Sequence, residues 1–417
     1  MSALAGLRVV ELAGERCAFA GKLLGDMGAD VVLVEPPGGD ASRAYPPFAG
    51  DEPGADRSLY WWHYNTSKRG LVLDLEREAA RRVFAQLIAS ADVLIEAEAP
   101  GRLARLGLDY ADLVAHRPDL IHVSITPFGR TSSRRDEPAT DLTILAGGGP
   151  VWSCGYDDHS LPPIRGGGNQ GHQIACHYAV MSALTALLHR GVSGQGQFVD
   201  VSMHAAANVT TEMASYCWLV DGTTVQRQTG RHAMPQMTMP VQIRCGDGRH
   251  ATTGVPPRTP AGFGVLYDWL DSLGLVAQLP EAIFLDRARE RESIHFAQIG
   301  VDDEVTAIFA AARDAIALVA ANLPAHEFFV GAQERNITVG AIYSPEEAYE
   351  DAHFVARGFP VEVEHPELGR RVRYPGAPYK LPASPWAISR RAPRLGEHAQ
   401  EILDELGVDD ATRREVA

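Results

Sequence analysis

The stretch from residue 7 to residue 35 restricts the fold more than any other part of this chain. Residues 7–12 (Leu-Arg-Val-Val-Glu-Leu) read as a buried strand, and residues 17–27 carry apolar positions at helical spacing. Gly28 stands where a helix C-cap belongs, and residues 30–35 (Asp-Val-Val-Leu-Val-Glu) form a second strand, stopped by Pro36-Pro37-Gly38-Gly39. A strand, a helix and a strand within about thirty residues make a βαβ unit, and its two strands must then be parallel. The pattern continues with strand 71–75, helix 77–90, strand 92–96 and strand 120–125, so the first half reads as a doubly wound α/β domain. A long helix over 173–189, a strand over 197–202 and a helix over 204–219 follow, then turn-forming, Met-rich sequence through Met239. Residues 242–322 mix strands and helices, and the chain closes on a helix over 397–406.

Composition narrows the function classes. The chain has 417 residues, 45% hydrophobic and 22% charged, which is enough for two or three ordinary domains. The net charge is −15, which argues against general nucleic-acid binding; an anionic ligand would need a local basic pocket. Almost all the positive charge is arginine, with only Lys22, Lys68 and Lys380 as lysines. Five scattered cysteines lack metal-site spacing and fit a reducing compartment. No apolar run reaches the ~20 residues of a membrane helix, and the first residues lack the marks of a signal peptide. A cytoplasmic location, with neither nucleic acid nor membrane as partner, is the expectation.

The turn after the first strand, residues 13–18, holds one glycine where a dinucleotide fingerprint needs three. His172, Cys176 and His177 share a helical face that could ligate zinc, but such a face more often packs as a polar helix start, and no metal is expected.

Five phrases then stand in order: Gly28-Ala29-Asp30 through Pro36-Pro37-Gly38-Gly39-Asp40; Asn65-Thr66-Ser67-Lys68-Arg69-Gly70-Leu71; Pro100-Gly101-Arg102-Leu103; Gly194-Gln195-Gly196-Gln197 through Met203; and Ala392-Pro393-Arg394-Leu395-Gly396-Glu397-His398. In these phrases the chain resembles the class III CoA-transferase family, which includes formyl-CoA transferase, carnitine CoA-transferase and α-methylacyl-CoA racemase. The resemblance implies a Rossmann-like large α/β domain formed by both chain ends, residues 1–220 and 331–417. A smaller inserted α+β domain, residues 221–330 with connecting segments, lies between them. It implies an interlocked dimer, and coenzyme A thioesters as substrates rather than a permanently bound cofactor. Arg105 matches a CoA-contacting position and Leu73 an apolar contact. Arg43, Lys68 and Arg69 fall in loops that the family uses near CoA, where solubility is the competing reading of their charge. In the family's E-N-F-x-P-G phrase this chain reads Glu96-Ala97-Glu98-Ala99-Pro100-Gly101, so Ala97 and Glu98 replace CoA-contacting residues. Glu76 likewise takes a slot that is basic in relatives.

The family's transferases use an aspartate nucleophile, which forms an acyl anhydride and then an enzyme–CoA thioester. Its slot falls here on His172, after Gly171, and no acidic residue occurs from Leu161 to Leu188. The racemase branch needs a histidine where this chain has Thr140, beside Asp141. Three readings stay open. The chain is the aspartate-lacking subunit of a hetero-oligomeric transferase with a catalytic paralogue, the build of succinyl-CoA:benzylsuccinate CoA-transferase. Or it is a self-sufficient transferase or thioesterase using His172 and Asp141. Or it binds CoA thioesters without catalysis. The Met-rich stretch 234–239, Trp61, Trp62 and Tyr64 are candidates for an acyl pocket or for packing.

Overall fold

Valine-rich runs of five or six residues, too short and too β-branched for helices, form the first two strands. β1 is Arg8–Leu12 and β2 is Asp30–Glu35, joined by helix α1, Ala18–Asp26. They pair in parallel, with Val9 opposite Val31. The computed structural model describes residues 2–254 and 256–416. In it, β3 (Lys68–Val72), β4 (Val93–Glu96), β5 (Ile121–Thr126) and β6 (Gln197–Ser202) complete a six-stranded sheet of order β3-β2-β1-β4-β5-β6. All five pairings are parallel.

Alternate residues of each strand serve opposite faces. Val9, Val31 and Val93 pack with Ala20 and Leu24 of α1 and with Ala175, Ala179 and Ala183 of a long helix. Val10, Val32 and Leu94 pack on the other face with Phe84 and Leu87 of the helix Glu78–Ala89, and with Ile402 and Val416 near the C-terminus. The strands are apolar on both sides because both sides are covered. α1 sits close to the sheet because it carries small residues; Gly21 lies directly against the Glu11 carboxylate.

The chain divides into two compact units, residues 1–152, 165–215 and 351–417 in one, residues 153–164 and 216–350 in the other. The second holds a three-stranded antiparallel sheet of Val339–Ala341, His250–Thr253 and Gln242–Arg244. Its core gathers Phe263, Leu266, Trp269, Phe309 and Phe328 from the surrounding helices. The sequence boundary at 331 thus differs from the contact division. Residues 331–350 stay with the second unit because Val339–Ala341 pairs with His250–Thr253, and residues 153–164 join it through Asp157, which bonds Thr229 and Arg231.

Two further elements differ from the sequence reading. β3 begins at Lys68, not at residue 71, since charged residues at 68 and 69 disguise its start. The expected helix over 204–219 breaks into Met203–Val209, Met213–Tyr216 and a wider turn over Cys217–Asp221, with Glu212 at φ 46° between them. Among the described residues no helix is long and apolar enough to cross a membrane.

Candidate active site

From β1 the chain winds outward through β2 and β3 and then returns to lay β4 on the other side of β1. The carboxyl ends of strands at such a reversal leave a crevice, the usual ligand position in open parallel sheets. Here a cavity of about 260 Å³ lies there, lined by Leu12, Ala13, Val34, Pro36, Pro37, Leu73, Ala97, Glu98 and Arg102 among others. Leu73 and Ala97 both line it. Gly101, in the left-handed conformation at φ 85°, starts the short helix Arg102–Arg105 at its edge. Arg105 is well exposed, 3.5 Å from Glu76, while Arg102 is held by Glu98 at 2.7 Å. Burial raises the Glu98 carboxyl above its ordinary range, opposed by Arg102.

The other three basic candidates require correction. Arg43 is buried and grips Glu35 through Nε and Nη2 at 2.6 and 2.7 Å, donates to Asp56, and lies over the Trp61 ring. Lys68 is fully buried in β3 and donates to Glu11, Asn65 and the carbonyl of Ala18. Arg69 joins Asp30, Glu401 and Glu405. All three lie in folded elements and hold parts of the same unit together, so their charge is not turned toward a ligand. Trp61 and Trp62 are buried too, their indole N–H groups donating to the Pro393 and Asp56 carbonyls.

The second cluster forms where the helix Gln170–Ser193 meets the helix Asp141–Gly148 and the loop after β1. Thr140 caps the shorter helix through the Thr143 N–H. Asp141 reaches across, accepting from the His172 backbone N–H at 3.1 Å and from Arg165 at 3.2 Å. Gly171 makes this approach possible: a Cβ there would stand 3.0 Å from Asp141 Oδ1 and 3.4 Å from Ile144. Asp141 therefore works as a cap for the long helix, a structural use of the carboxylate given to catalysis from sequence. The His172 side chain is buried, and neither ring nitrogen has a hydrogen-bond partner among the described residues. Burial lowers its basicity below the ordinary histidine value, against the pull of Glu15 and Asp141, so the imidazole is neutral at physiological pH. His177 and Cys176 do not join it: His177 Nδ1 bonds the Gln173 carbonyl and the Cys176 thiol donates to the Arg16 carbonyl.

The residue that the sequence reading passed over is Glu15. Its Oε1 lies 3.9 Å from His172 Nδ1 and accepts from Asn169 Nδ2 at 3.2 Å and from the Tyr60 hydroxyl at 3.3 Å. Its Oε2 accepts only a long bond from Tyr45, 3.4 Å. The Glu15 side chain remains one-third exposed. Its position just past the carboxyl end of β1 is the signal that could have found it, since the chemistry of open parallel sheets gathers at strand carboxyl ends.

Comparison with known proteins decides the family. The model of CoA-transferase family III matches residues 4–399. The chain belongs to CoA-transferase family III. It is 33% identical over 404 residues to the succinyl-CoA:(R)-benzylsuccinate CoA-transferase subunit BbsE of Thauera aromatica, covering 96% of this chain and 93% of that one. It is 31% identical over 422 residues to the succinyl-CoA:mesaconate CoA-transferase of Haloarcula marismortui, covering 99% of each. Among solved structures, a CAIB/BAIF family protein from Brucella suis superposes with a TM-score of 0.79 at 25% identity, over 97% of this chain and 99% of that one. This family III chain is thus a CoA-transferase or a subunit of one, and CoA thioesters are its substrates, bound and released at each turnover.

Proposed function

We propose that this chain is one subunit of a two-chain CoA-transferase that exchanges CoA between succinyl-CoA and another carboxylic acid. Its partner is an aspartate-bearing paralogue, which carries the family's nucleophile in its own site. The observation that carries this reading is His172: the aspartate slot holds a buried, neutral imidazole, and the adjacent Asp141 is occupied in capping the helix. The relative from Thauera aromatica being a named subunit of a succinyl-CoA transferase supports the same assignment. So does the outer face of the helix Gln170–Ser193, where Met181, Leu188 and Val192 are 55%, 76% and 93% exposed. Beside it runs an apolar groove of about 640 Å³ shared with β6 and the helix Met203–Val209. Apolar surface of this extent is what a partner chain covers. The crevice lined by Leu73 and Ala97, with Arg102 and Arg105 at its edge, takes the CoA moiety; arginine at such a site suits its phosphates.

The test is a succinyl-CoA exchange assay with dicarboxylic and aromatic acids, on the purified chain and on the chain co-expressed with a paralogue. Turnover that requires both chains supports the reading. Full turnover by this chain alone overturns it.

A further inference from the structure

We propose that Glu15 is a reacting carboxylate in this chain's own site, standing in for the aspartate missing at position 172. The proposal goes beyond the two-chain reading. It depends on a CoA thioester entering this site in the assembled enzyme and not on the partner's nucleophile, so the chain alone is still expected to show no full turnover.

Three observations carry it. Glu15 is a carboxylate in contact with the residue in the empty aspartate slot, 3.9 Å from His172 Nδ1. It is partly exposed and lies just past the carboxyl end of β1, two residues beyond Ala13, which lines the crevice. Its two oxygens are unlike. Oε1 collects the Asn169 amide, the Tyr60 hydroxyl and the approach of His172, whereas Oε2 has only the long Tyr45 contact. Two neutral donors on one oxygen, Asn169 and Tyr60, form a cradle for negative charge, and the other oxygen is left able to attack. A buried imidazole with no partner for either nitrogen is otherwise costly. His172 Nδ1 lies 3.9 Å from Oε1, beyond hydrogen-bond distance, so His172 flanks that cradle as a positioning residue that acts through Glu15.

The step needs no oxidant, water or external base. Glu15 Oε2 attacks the thioester carbonyl carbon; a C–O bond forms, the C–S bond breaks, and CoA leaves as the thiolate. The product is a mixed anhydride of Glu15 and the donor acid. The thiolate then attacks the Glu15 carbonyl carbon, with the developing charge on Oε1 facing Asn169, Tyr60 and His172. The anhydride C–O bond breaks and the donor acid departs as its carboxylate, leaving a glutamyl–CoA thioester. An acceptor carboxylate runs the two steps in reverse.

The experiment treats the full chain, alone and co-expressed with the paralogue, with succinyl-CoA followed by hydroxylamine, and maps hydroxamates by peptide mass spectrometry. A hydroxamate at Glu15, lost in Glu15→Gln and diminished in Asn169→Ala, is the expected result. His172→Asp is run in parallel because it returns a carboxylate to the family position. Label at position 172 of that variant with none at Glu15 in the native chain shows that the thioester enters and Glu15 does not react, which overturns the proposal. Glu15 unlabelled in every preparation overturns it as well. Partner-dependent turnover with Glu15 unlabelled leaves the two-chain reading standing and removes only this inference. Circular-dichroism melts of Glu15→Gln and His172→Asp separate loss of label from loss of fold.

Discussion

Two polar clusters of the first unit make opposite use of their charge. Around β3, the cations Arg43, Lys68 and Arg69 are each matched by carboxylates and nearly removed from water. At the start of the helix Gln170–Ser193, His172 is equally buried and its ring is unmatched, beside a carboxylate held only by neutral donors. In the first cluster every cation has a carboxylate partner, and the cluster fastens the terminal segments to the sheet; Arg69, for instance, ties β3 to Glu401 and Glu405. Positive charge in a sequence is therefore no sign by itself that a side chain meets a ligand, since a fold can consume it.

Substitutions sharpen this contrast, and the largest effect is expected in the matched cluster. Lys68→Met strands the fully buried Glu11 carboxylate and should cost about 3 to 5 kcal/mol of unfolding free energy by denaturant titration. Burial lifts the Glu11 carboxyl from 4.5 to about 7 even against Lys68. An acid whose folded value is raised contributes stability that is present below its unfolded value and lost as pH rises through the folded one. The Lys68→Met penalty should accordingly be larger at pH 8 than at pH 5, and the added change Glu11→Gln should restore much of it. A penalty that does not vary with pH would show that the pair is not the closed unit described here.

Gly171→Ala comes next. The new Cβ crowds Asp141 and Ile144 and must push two helices apart, for about 1 to 3 kcal/mol in a thermal melt. Because the shift moves His172 away from Glu15, CoA-transferase activity should fall with it. Asp141→Ala removes the acceptor of the His172 N–H and the partner of Arg165, and about 1 to 2 kcal/mol is expected. A fall in activity with stability intact would instead make Asp141 part of the chemistry.

On the proposed CoA path, Glu98→Gln removes the partner of Arg102 and frees its guanidinium for the CoA phosphates. Both side chains are partly exposed, so screening limits the gain to about 1 kcal/mol, read as several-fold tighter CoA binding by calorimetry. The smallest effect belongs to Arg82→Ala. Its partner Glu78 is 78% exposed, and the melting temperature should barely move.

The sheet was legible in the sequence because its signal is local. Runs such as residues 30–35 and 197–202 are apolar or β-branched enough to declare themselves, and both strands formed with those bounds. The start of β3 was not legible, because Lys68 and Arg69 look like loop residues until their partners, far away in sequence, are brought beside them. Leu73 and Ala97 were singled out from phrases the family uses near CoA, and both line the crevice at the carboxyl ends of the strands. Glu15 gave no comparable signal. Nothing in residues 13–18 indicates that Tyr60, Asn169 and His172 will converge on one carboxylate.

The sequence by itself determined the parallel sheet and the family, since each is written in neighbouring residues. Only the tertiary structure decided which charges are consumed by the fold and which polar groups are left unmatched. Burial and hydrogen bonding depend on residues that meet across more than a hundred positions, as Glu15 and His172 do, and no local pattern encodes such a meeting.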